Sequence, residues 1–295
     1  MLVSAEERQF SRMTCSSEPR LVELRKHGLY VFRFFKAGCS YFVLVDDLLP
    51  TRDLPNGRPV PVFARCQNPN LFWISLAEKA YAKLHGRYFA LEGGCTDEAL
   101  EDFVGSPVEN CFIDTGMTHE QLFTEAMKVL SSNHAVLGLK IDLEMFKTDM
   151  KKEDQLKYSR KPLGMSEAQC EKHYNKARSM GLVPFHTYSV LDVRTIQDAS
   201  GNPVSLIRMQ NPWANGPEWQ GPCCDSDKDF WTLTVKDRFN DLEEGVQEDR
   251  FKHQWFLDDG IFCMRVQDVL EYFTVVVAQR DYPENFFGVE YDQQW

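Results

Sequence analysis

The chain has 295 residues, 43% of them hydrophobic and 13% aromatic, which is enough apolar surface for one large or two ordinary packed domains. Charged residues make up 26%, and the formal net charge is -11. That composition excludes wholesale disorder, and the acidity argues against nucleic acid or an anionic membrane as partner.

Nine cysteines are scattered along the chain without a CxxC pair. An odd, unpatterned set fits reduced thiols in a cytoplasmic protein better than a secreted disulfide framework. No stretch approaches the ~18 consecutive apolar residues of a membrane helix, and the first residues lack the apolar run of a signal peptide.

In chain order, residues 21–25 end a short helix. Residues 29–35 (LYVFRFF) and 41–45 (YFVLV) read as paired strands around a turn at 36–38. Asn56-Gly57 is a further turn signal. Residues 71–84 (LFWISLAEKAYAKL) form the clearest helix, with Trp73, Leu76, Ala80 and Leu84 on one face and His85-Gly86 ending it. A shorter helix covers 97–103, and the segment to Gly116 reads as a crossover between domains 1–116 and 117–295.

Residues 119–130 are helical, with Thr118 as a candidate N-cap, and 135–141 are a strand. The segment 146–170, rich in Lys, Asp and Glu, reads as a long exposed loop. Strands then occupy 186–193 and 204–210, around a turn at 198–203. Strands at 261–266 and 274–278 follow, with a short helix between them. The class is α+β: a helical first part with a small sheet, and a second part rich in strand.

His186 opens one of these strands and Asn211 follows the next, leading into Asn211-Pro212-Trp213. Antiparallel neighbours could set the two side chains together. The amide oxygen would then accept the ring N–H and fix the tautomer, and the tryptophan would cover the bond from water. Such a histidine can take a proton from a thiol or stabilise a thiolate. Taken alone, the pair is weak evidence, because a lone strand histidine is more often a core or surface residue and Asn-Pro-Trp also reads as a turn with a buried aromatic.

Longer blocks give the pair its context. Residues 181–193 (GLVPFHTYSVLDV), 206–213 (LIRMQNPW) and Glu218-Trp219 resemble the histidine and asparagine motifs of the calpain protease core. Residues 45–50 (VDDLLP), 75–86 (SLAEKAYAKLHG) and 259–262 (DGIF) resemble further blocks of that family, in the family's order. The forms KLHGRYFAL and HTYSVLDV are most similar to its small-optic-lobes branch. A papain-fold transglutaminase would use the same triad, but the NPW and VDDLLP blocks favour calpain.

The resemblance implies a papain-like fold in two subdomains, a partial helical one and a β-rich one. It implies intracellular hydrolysis of protein substrates by a Cys–His–Asn triad, with His186 and Asn211 catalytic and Trp213 supporting them. The family's thiol lies in a QGxxGDCW segment that these 295 residues do not contain. Cys15, in the setting MTCSS, lacks the neighbours of that motif and is not expected to be the nucleophile. The chain therefore reads as truncated before the catalytic cysteine and inactive as written, or alternatively as a non-catalytic protein-binding module. The resemblance also implies calcium. Glu218, Asp225 and Asp259 match ligand positions, whereas Leu71 and Ile261 stand where the family has glutamate, which should weaken binding.

Overall fold

The structure is a computed structural model that describes residues 19–55, 57, 59–65, 72–113, 117–130, 136–142, 166–213, 217–241 and 260–279. The chain forms two compact units that meet in sequence at Pro107 and Val108.

The first unit begins with α1 (Pro19–Arg25), β1 (Leu29–Lys36) and β2 (Cys39–Asp46). The two strands pair antiparallel from Leu29↔Asp46 to Lys36↔Cys39. Ala37 (φ 49°) and Gly38 (φ 74°) make the two-residue turn between them, where both central residues take positive φ and so match the strand twist. β3 (Thr51–Asp53) and β4 (Pro59–Pro61) pair antiparallel, and between them Gly57 N donates to Leu54 O at 2.8 Å. Next come α2 (Trp73–Leu84), a 3-10 turn at Tyr88–Leu91 and α3 (Thr96–Val104).

Alternation in the hairpin sends Phe32, Phe34, Val43 and Val45 inward, where they pack with Leu76, Ala77 and Ala80 of α2. Full burial of side chains of this size stabilises by about 1.5–3 kcal/mol each. Asp102 is also buried, but it is not alone. The Tyr81 hydroxyl donates to its Oδ2 at 2.8 Å, and Lys36 Nζ lies 2.9 Å from the same oxygen. Burial and this carboxylate together push the Tyr81 phenol well above its usual range.

The second unit holds a six-stranded antiparallel sheet of order β5-β10-β6-β7-β8-β9. Its strands are β5 (Val108–Phe112), β6 (Val136–Lys140), β7 (Thr187–Gln197), β8 (Pro203–Gln210), β9 (Ile261–Arg265) and β10 (Val275–Gln279). Its helices are α4 (His119–Leu130), α5 (Glu167–Ser179), α6 (Leu233–Asp241) and α7 (Val266–Tyr272). Leu122, Ala126, Leu139, Tyr188, Met209, Phe262 and Val276 belong to one core, and Ile196, Leu206, Trp231, Val235 and Phe239 to another.

Two features differ from the sequence expectation. The crossover drawn up to Gly116 contains β5, which pairs with β10 from Val108↔Gln279 to Phe112↔Val275, so the second unit begins nine residues before the expected position 117. The exposed loop drawn over 146–170 ends in α5. Ser166 caps this helix by accepting from Gln169 N, and the Gln169 side chain accepts in return from Ser166 N. Cys170, on its first turn, is buried. The rest of that loop lies outside the described residues. Thr118 does cap α4, in the same reciprocal way with Gln121. Among the described residues no helix is long and apolar enough to cross a membrane, and Cys39, Cys95, Cys111, Cys170, Cys223, Cys224 and Cys263 are in no disulfide.

Candidate active site

β7 and β8 form a hairpin whose open end carries the candidate residues. His186 immediately precedes β7 and Asn211 immediately follows β8, and the ladder closes at Ser189↔Gln210 beside them. The same register that buries Val190 and Met209 therefore brings imidazole and amide together. His186 Nε2 lies 2.8 Å from Asn211 Oδ1.

Asn211 is wholly buried. Its backbone N–H donates to Gly260 O at 2.7 Å, and its Oδ1 accepts from Trp213 N at 3.0 Å. That second bond fixes the amide orientation, because a flipped side chain would set NH₂ against a backbone donor. With oxygen facing the ring, Nε2 carries the proton and donates, which leaves Nδ1 as a bare acceptor.

Aromatic rings hold the imidazole on further sides. Trp213 lies 4.3 Å from it, centroid to centroid, and Tyr188 meets it edge-on at 5.1 Å. The Trp213 indole is itself 60% exposed, so it shields the histidine with one face and leaves much of its surface to solvent. Tyr188 is buried, its hydroxyl accepts from Val183 N at 2.9 Å, and burial pushes its phenol up to about 12.

Burial lowers the His186 pKa below its ordinary 6.5, and the hydrogen bond it donates to Asn211 Oδ1 only partly opposes this. The ring is therefore neutral at pH 7 and able to accept a proton. The stability gained by keeping it neutral is complete above the unfolded value near 6.5, and it is lost as pH falls through the lowered folded value. An NMR titration of the His186 ring in this chain is expected to show a midpoint below 6.5; a midpoint above it would contradict the burial argument.

Burial pushes the Cys223 thiol up to about 12 and holds the wholly buried Cys263 well above its usual range, so neither supplies a thiolate near neutrality. Cys15 lies outside the described residues.

The candidate cation ligands are placed in part. Glu218 Oε1 accepts from Gly260 N at 2.8 Å, and Asp225 is buried nearby in sequence. Asp259 lies outside the described residues. Among the described residues no group of three or more His, Cys, Asp or Glu side chains is gathered to hold a metal ion. Sequence reasoning missed two backbone features. Gly260 anchors both Asn211 and Glu218, and Phe185, next to His186, sits at φ 59°. Only the glycine was a visible signal.

The chain matches known proteins over most of its length. A family model described as calpain family cysteine protease matches residues 2–279. Calpain-A of Drosophila melanogaster is 33% identical over 249 residues, covering 83% of this chain and 25% of that protein. The calpain-1 catalytic subunit of Rattus norvegicus is 32% identical over 247 residues, 84% of this chain and 28% of that protein. The calpain-type cysteine protease DEK1 of Arabidopsis thaliana is 33% identical over 261 residues, 88% of this chain and 10% of that protein. The chain belongs to the calpain family of cysteine proteases and carries its protease domain. It spans no more than 28% of the length of these three curated relatives.

Proposed function

We propose that this chain supplies the imidazole and amide of a calpain-type Cys–His–Asn endopeptidase acting on proteins inside the cell. The observation that carries the reading is the 2.8 Å bond from His186 Nε2 to Asn211 Oδ1, which leaves Nδ1 as the base. The thiol must come from a segment bearing the family's QGxxGDCW motif, which residues 1–295 do not contain.

In that site His186 Nδ1 takes the thiol proton, and the thiolate attacks the peptide carbonyl. The tetrahedral intermediate collapses as the imidazolium returns the proton to the leaving amine, giving a thioester. Nδ1 then takes a proton from water, whose oxygen attacks the thioester; collapse releases the acid and restores the thiol. Asn211 keeps the ring in one tautomer throughout.

If this domain binds calcium, Glu218, Asp225 and Asp259 would be its ligands, and the ion would take no part in the proton transfers. The blocks KLHGRYFAL and HTYSVLDV support placement in the small-optic-lobes branch. The scattered thiols support a cytoplasmic setting, and the acidic composition supports protein rather than nucleic-acid partners.

Casein cleavage tests the reading. Residues 1–295 alone are expected to cleave none, and the same chain joined in frame to a thiol-bearing segment is expected to cleave and to be labelled by a thiol-directed peptide epoxide. A second reading, a non-catalytic module that binds proteins, is favoured by the missing motif. Binding without cleavage by the extended chain would establish it instead.

A further inference from the structure

Phe185 has a backbone that phenylalanine rarely adopts. Its φ is 59°, in the left-handed region where a Cβ crowds the carbonyl. Two bonds hold it there: its own N–H donates to Ile141 O at 2.7 Å, and the adjoining turn is tied by Val183 N to the Tyr188 hydroxyl at 2.9 Å. Strain of this kind persists only where the surroundings over-determine it, and such sites concentrate around functional centres.

The side chain is as unusual as the backbone. It is 44% exposed, although a phenylalanine gains most from burial. The ring is nevertheless backed on one side: it lies 6.3 Å from the ring of Tyr174 on α5, and the Tyr174 hydroxyl accepts from Arg178 Nη1 at 3.2 Å. A fixed, half-exposed aromatic pair thus begins one peptide bond away from the imidazole. A glycine or asparagine would satisfy the turn at less conformational cost, so the turn alone does not account for the ring.

We propose that Phe185, backed by Tyr174, is a specificity-determining residue that favours peptides with aromatic or long aliphatic side chains flanking the scissile bond. The proposal rests on the peptidase reading above. If His186 returns a proton to the leaving amine, the residues on either side of the cut bond lie within a side chain's reach of position 185. An apolar substituent there covers an exposed aromatic surface, whereas a carboxylate would be desolvated against it.

The test uses the full chain joined to its thiol-bearing segment and two peptides that differ only in the flanking residues, leucine in one and aspartate in the other. The readout is the ratio of their kcat/KM values, in which any common effect on His186 cancels. Phe185→Gly and Phe185→Asn both tolerate positive φ, so both are expected to keep or raise Tm while lowering the leucine-to-aspartate ratio about tenfold. An unchanged or increased ratio in either folded variant overturns this inference and leaves the peptidase reading standing. No cleavage by the unsubstituted extended chain overturns both.

Discussion

Replacing His186 with alanine in the thiol-bearing enzyme is expected to lower kcat/KM on casein by at least roughly 10²–10⁴-fold, the usual worth of a positioned acid–base group. The imidazole acts at three points in the proposed cycle. It removes the thiol proton, protonates the amine and activates water, and no other titratable side chain is within hydrogen-bond distance of Asn211 Oδ1 to replace it among the described residues. Asn211→Ala should cost less, because the ring remains but its tautomer and orientation are released. Cys15→Ala should leave the rate unchanged. Casein kinetics decide the matter: full activity in His186→Ala, or lost activity in Cys15→Ala, sinks the assignment of the base or of the thiol.

The second large effect is on stability. Gly181 ends α5 in a Schellman arrangement, with Leu182 N donating to Ala177 O at 3.0 Å and Gly181 N to Arg178 O at 3.1 Å. Its φ is +80°, and a Cβ built on it would lie 1.8 Å from the backbone oxygen of Glu218. That oxygen belongs to a strap held by Gln220 N donating to Met180 O at 2.9 Å, so it has little freedom to retreat. Gly181→Ala combines left-handed strain with a backbone clash, and about 3–5 kcal/mol of destabilisation is expected in urea unfolding. Gly201→Ala is the control. Its φ is +85° but a Cβ there would meet nothing within 4 Å, so only the conformational cost of about 1 kcal/mol remains. Equal losses at the two positions would show that the strap yields.

Local chemistry wrote some of this architecture openly. The β1–β2 hairpin follows from alternating aromatics around Ala37-Gly38, and α2 from four apolar residues at helical spacing. His186 and Asn211 were legible as a pair because they bracket one hairpin, whose register is fixed by which face is buried. Helix α5 was hidden by its charged, weakly amphipathic sequence, although the Ser166–Gln169 box announced its start. Strand β5 was hidden because five residues at a sheet edge carry little pattern, and its partner β10 lies far along the chain. Phe185 was invisible for a different reason: nothing in the sequence tells a phenylalanine at φ 59° from one in an ordinary strand.

The β7–β8 ladder carries one irregularity with a practical consequence. Val190 pairs with Met209 and Asp192 with Arg208, so Leu191 is an extra residue without a partner in the ladder. It offsets the alternation, so that Tyr188, Val190 and Val193 all join one core, whereas Ile196 faces the other. The far loop at 198–202 lies outside the paired ladder at the opposite end of the hairpin, so an epitope spliced into it leaves the register, and the imidazole, in place. One residue inserted between Thr187 and Val190 would instead turn His186 to the opposite face of the sheet.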